Sequence, residues 1–156
     1  MIGCGNPDAG DDAVGLLAVR GARARLGSLR DVEVVEASTI DLVHLLEDVE
    51  GVVVVDAVRE PSGLREPGTI VRAEAGPAGL PTDLRSSLSS HGLGVGEAVG
   101  LAVALGQRPQ VIFLGVEAGD VTMGHGPSAR VAGALPELVD RIVEETRRLT
   151  RGQSRP

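Results

Sequence analysis

Four consecutive valines run into an aspartate at Gly51–Asp56 (GVVVVD), and few structures can hold that sequence. β-branched side chains are stiff and favour strands. The absence of polar alternation rules out a strand with one wet face. A continuous valine run of this length marks a strand buried on both faces of a parallel sheet. Gln110–Val116 (QVIFLGV) is of the same kind, and Asp31–Ala37 (DVEVVEA) reads as a further strand. Between them lie helical patterns: Asp12–Leu26, then Ile40–Leu46 with Ser38 or Thr39 as its cap, then Gly94–Leu105, whose Gly and Ala content suits close packing on the sheet. Pro136–Leu149 is the clearest, with Leu138, Val139, Ile142 and Val143 on one side. Thr69–Ala73 (TIVRA) is a candidate edge strand within a Pro-, Gly- and Ser-rich stretch from 61 to 90. This alternation predicts an open α/β sheet with right-handed crossovers, whose ligands bind beyond the carboxyl ends of its strands. Residues 1–150 are expected to form the single domain and 151–156 a disordered tail. Only Met1 and Ile2 precede the first glycine, whereas a central strand needs about five or six residues. The first strand is therefore either a stub or begins upstream.

Composition narrows the function. A chain of 156 residues suits one domain. Phe113 is its sole aromatic residue, which argues against base-stacking or sugar-binding surfaces. With a net charge of −7 and scattered arginines in place of any lysine, no nucleic-acid partner is expected. The one small basic cluster (Arg147, Arg148, Arg151, Arg155) reads as a solvated helix end. One cysteine excludes an internal disulfide and a cysteine-based zinc site. No apolar run reaches the ~18 residues of a membrane span, and no basic-then-apolar leader is seen, so a cytoplasmic protein is expected.

The chemistry concentrates in the opening stretch GCGNPDAGDD (residues 3–12). Gly3 and Gly5 begin a dinucleotide-binding pattern, but Asp8 stands where its third glycine belongs. Asp8, Asp11 and Asp12 would repel a pyrophosphate, and no Walker motif follows. Asp11 reads as a helix N-cap. Asp12 is different, because Asp56 and His91 (in SSLSSHGLG) come from two other loops at the same predicted sheet edge. Two carboxylates and an imidazole make a plausible set for zinc or nickel with a coordination position left open. The competing reading is two capping aspartates and a surface histidine. His44 reads as a partly buried packing residue. His125 sits in a glycine-rich loop (MGHGPS) that could approach a ligand, without an evident partner. Cys4 lacks an evident base, and no serine sits in a nucleophile elbow.

Taken together, GCGNPDAGDDAVG, VVVVDAV and SSHGLG resemble the motifs of the hydrogenase maturation proteases, in the family's order. The matching positions are Gly3, Gly5, Asn6, Asp11, Asp12 and Gly15, then Asp56 and Ala57, then Ser90, His91 and Gly94. LGVEAGD and GPSARVAGALPELV also resemble that family's last strand and helix. The resemblance implies a roughly five-stranded twisted sheet between helices and an aspartyl-type endopeptidase. It implies that Asp12, Asp56 and His91 bind nickel that arrives already inserted in a hydrogenase large-subunit precursor. Cleavage would remove the precursor's C-terminal peptide. A non-catalytic metal-binding chaperone or docking module, a cofactor-binding α/β domain and a germination-type protease are the alternatives.

Overall fold

A computed structural model describes residues 1–27, 29, 31–75, 79–81 and 94–153. Five strands form one mixed sheet in the order β2-β1-β3-β5-β4. β1 (Ile2–Cys4), β2 (Val35–Ala37), β3 (Gly51–Val58) and β5 (Gln110–Glu117) are parallel. β4 (Ile70–Glu74) runs antiparallel along the edge of β5, where the isolated TIVRA strand was expected. The valine run behaves as its composition dictates. Val52, Val54 and Val58 enter one core, and Val53 and Val55 enter the other.

The helices divide between the two faces. α2 (Leu42–Leu45) and α3 (Val95–Ala104) cover one face of the sheet. α1 (Val14–Leu26), entered through a short 3-10 turn at Gly10–Ala13, covers the other beside α4 (Ala129–Gln153). Among the described residues no helix is long and apolar enough to cross a membrane.

Several boundaries differ from those read in the sequence. β2 has three residues, not seven, since it pairs only with the three of β1. α2 starts at Leu42 behind Asp41, and neither Ser38 nor Thr39 caps it; Ser38 instead donates its hydroxyl to Asp41. α4 begins at Ala129, ahead of Pro136, and runs through Gln153, so residues 151–153 continue the helix rather than forming a tail. The Ala-rich ARVAGAL favours the early start, against the roughly 3 kcal/mol that Pro136 costs inside the helix.

Glycines set the closest approach of layers. A Cβ at Gly3 would overlap the Gly15 carbonyl oxygen and the Val19 side chain; one at Gly15 would meet the carbonyl oxygens of Cys4 and Val55. α1 therefore lies directly on the backbones of β1 and β3. The helix-on-strand glycine absent at position 8 is supplied by Gly15.

Candidate functional site

In this sheet the chain runs outward in opposite directions from β1 and β3, so the crevice at their carboxyl ends is the topological switch point. Asp12 and Asp56 both belong there. β1 reaches Cys4, turns through Gly5 and delivers Asp12 on the 3-10 turn. Gly5 has φ +134°, and a Cβ on it would overlap the Asp12 carbonyl oxygen, so the loop can fold back this tightly only with glycine. Asn6 N–H then donates to the Asp12 carboxylate at 2.9 Å. Burial raises the Asp12 carboxyl above its ordinary range, opposed by that hydrogen bond.

Asp56 is 3% exposed. It does not end its strand, as the sequence suggested, because β3 continues through Ala57 and Val58, paired to β5. The pairing of β1 with β3, however, stops at Gly3↔Val55. Asp56 is thus the first β3 residue past the point where β1 leaves, which opens room for a carboxylate inside the sheet. One of its oxygens accepts the Ala57 N–H at 2.9 Å. Burial first, and then the Asp12 charge, push its carboxyl well above the usual range. Two carboxylates that feel each other's charge, one of them buried, are favoured together by a cation. Their oxygens are hard donors suited to a divalent ion, and an imidazole would add a borderline donor for a first-row metal. His91 lies outside the described residues, as does Ser90. Among the described residues there is no ready-made cluster of three metal-ligating side chains.

Asp11 does not cap its own helix. It is fully buried, and its carboxylate accepts N–H groups from Gly119 (2.8 Å), Asp120 (2.9 Å) and Ser128 (2.6 Å) and the Ser128 hydroxyl (3.1 Å). Burial would raise its pKa, but these donors outweigh it and hold the group below its ordinary value. The adjacent aspartates thus divide the work: Asp12 faces the crevice, and Asp11 ties the segment after β5 to the glycine loop. Backbone bonds reinforce that tie, with Asp11 N–H on Asp120 O (2.7 Å), Gly10 N–H on His125 O (3.1 Å) and Gly124 N–H on Asp8 O (2.7 Å). His125 reaches the loop through its backbone while its side chain is exposed. His44 is also surface-lying, with its side chain 83% exposed and Nδ1 3.2 Å from Glu47, and not the packing residue expected.

A second anchor escaped the sequence reading. Glu117, 3% exposed at the end of β5, accepts the Glu60 N–H at 2.9 Å and lies 3.2 Å from Arg65, pinning the loop after β3. A buried acid within an otherwise apolar strand was the available signal. Cys4 is fully buried, and burial followed by Asp56 and Asp12 pushes its thiol well above the ordinary value. A nucleophilic cysteine needs the opposite shift.

The fold is that of several solved endopeptidases. The hydrogenase maturating endopeptidase HybD from E. coli superposes with a TM-score of 0.72 at 19% identity, over 94% of this chain and 90% of that one. The [NiFe] hydrogenase maturation protease HycI from Thermococcus kodakarensis gives 0.68 at 22%, over 92% and 88%. A hydrogenase 2 maturation peptidase from a Thaumarchaeota archaeon gives 0.60 at 23%, over 93% and 95%. These likenesses define the architecture as a single-domain α/β fold with one five-stranded sheet between helices. The sequence model of the HycI hydrogenase maturation proteases matches residues 19–145, so the chain belongs to the hydrogenase maturation protease family, a family of endopeptidases. No curated protein matches it in sequence.

Proposed function

We propose that the protein removes the C-terminal peptide from a nickel-loaded hydrogenase large-subunit precursor in the cytoplasm, using Asp12, Asp56 and His91 to recognise the nickel. The carrying observation is the pair of carboxylates at the switch point: Asp56 is buried in β3, and its carboxyl is pushed up first by burial and then by the charge of Asp12. Leaving two acids together there makes physical sense if a cation comes to them. The nickel belongs to the substrate; the chain supplies oxygen donors from Asp12 and Asp56, with the His91 imidazole as the third.

The surrounding loops suit a protein substrate. Ile40, Leu64 and Met123, in the segments that follow β2, β3 and β5, are 60%, 84% and 62% exposed and offer apolar surface toward the carboxyl end of the sheet. Asp11 and Glu117 fix two of these segments. A substrate seated there would have its peptide bond beside two carboxylates whose pKa values are both raised by burial, that of Asp56 the more strongly.

Incubation of purified protein with nickel-loaded and nickel-free precursor tests the reading. The wild type should shorten only the nickel-loaded form. Asp12→Asn and His91→Ala should lose at least about 100-fold in rate, as for removal of a group acting directly in the reaction, while keeping the wild-type circular dichroism spectrum. Processing at the wild-type rate by either variant would refute the assignment.

A further inference from the structure

From Val95 to Gln107 the chain carries a single charge, Glu97. A helix that is apolar all round is ordinarily buried all round. α3 is buried on one side only. Val95, Ala98, Val99 and Ala102 enter the core against the sheet. On the outer side Leu101 and Leu105, one turn apart, are 46% and 64% exposed, and Ala104 is exposed with them. α4, on the other face of the sheet, shows the usual arrangement, with Glu137, Asp140, Glu144 and Arg147 turned to solvent.

Beside Leu105 lies an open groove of about 480 Å³, at the amino ends of β3 and β5 and so at the end of the sheet opposite the carboxylate pair. Leu46 and Val49 give it apolar walls. Asp48 and Glu50, just ahead of β3, and Arg108, just ahead of β5, add charges of both signs. Among the described residues these charges form no ion pair. Arg108 instead donates Nη1 to the carbonyl oxygens of Val103 and Gln107, at 2.7 Å each, which ties the guanidinium to the end of α3. Arginines elsewhere reach carboxylates of their own chain, as Arg25 reaches Asp140 and Arg141 reaches Glu137. Gln107 also lines the groove, and its Oε1 is buried without a hydrogen-bond partner.

We infer that two copies of the chain associate through this face about a two-fold axis. Leu101 and Leu105 of each enter the groove of the other, and Arg108 of each lies opposite the other's Asp48 and Glu50. A two-fold interface uses one patch twice, so that patch must offer both knob and hole and both signs of charge. This one does: a protruding leucine pair adjoins an apolar-walled groove, and unpaired acids and an unpaired guanidinium line the same opening. The uncharged centre with charges around it is also the ordinary anatomy of a protein interface. A different partner would require neither self-complementarity. Association at this end leaves both carboxylate crevices open, so the inference is independent of the proposed function.

Sedimentation equilibrium of the full chain over roughly 1–100 μM tests it. The wild type should form a dimer that dissociates on dilution. Leu105→Glu puts a charge in the apolar centre and should weaken association at least about tenfold, with an unchanged circular dichroism spectrum. Arg108→Glu alone and the double variant Asp48→Arg, Glu50→Arg alone should each stay monomeric, because each presents one sign of charge to its own copy. Mixed, the two should form a heterodimer, a gain that misfolding cannot produce. A wild type that stays monomeric throughout overturns the inference, even one that holds the hydrogenase precursor through Leu105. So does a dimer that Leu105→Glu leaves intact, or a mixture of the charge variants that fails to associate.

Discussion

Asp11 and Asp12 are neighbours in sequence with opposite electrostatic lives. Four donors satisfy the Asp11 carboxylate and depress its pKa. Asp11→Ala leaves the N–H groups of Gly119, Asp120 and Ser128 without their acceptor, and should cost about 3 kcal/mol, or roughly 10 °C in Tm at this chain length. A scanning calorimetry experiment on the variant checks it. Asp56 shows the reverse behaviour. Its raised pKa means that the folded chain binds that proton more tightly than the unfolded chain. The group's contribution is therefore most favourable below an unfolded value of about 4 and is lost as pH rises toward the folded value. Asp56→Asn should melt with the wild type near pH 4. At pH 7 it should be more stable by roughly 1–2 kcal/mol, as read from urea midpoints across that range. A constant difference at all pH values would show that the buried charge is not the cause.

Among the elements, the crossing of α1 over β1 and β3 fixes where the glycine loop emerges. Gly15→Ala forces a methyl group into the carbonyl oxygens of Cys4 and Val55. It should cost about 3 kcal/mol and weaken precursor processing by shifting the turn that carries Asp12; urea denaturation and the processing assay read the two effects separately. Much of the element order is legible in the amino-acid sequence. GVVVVD and QVIFLGV can hardly be other than buried strands, and TIVRA keeps its place at the edge despite its loop-like surroundings. Boundaries are less legible, for physical reasons. The length of β2 depends on what β1 offers it, and α4 starts early because Asp11, far off in sequence, holds the Ser128 N–H. That Asp12 and Asp56 come to the same end of the sheet is readable, because one follows the glycine loop after β1 and the other follows four valines of a parallel strand. The role of Asp11 is not, since its partners are distant loop N–H groups that leave no local pattern; Glu117 shows only as an acid closing an apolar strand, with nothing local to name Glu60 and Arg65 as its partners.

Across the whole molecule, two apolar layers sandwich the sheet, and the strand order concentrates chemistry at one end. The glycine loop, the loop after β3 and the segment after β5 meet there, pinned by buried carboxylates. Between them lies one carboxylate pair that the fold alone would be better without. Stability and recognition conflict at that point, and on the proposed function a cation resolves the conflict. The Tm of wild type and Asp56→Asn at pH 7, each with and without nickel(II) or cadmium(II), puts this to the test. The wild type should start lower and rise on adding the ion, through preferential binding to the folded state, while Asp56→Asn should start higher and stay unmoved. Equal shifts in the two proteins, or none in the wild type, would show that the carboxylate pair does not serve a cation.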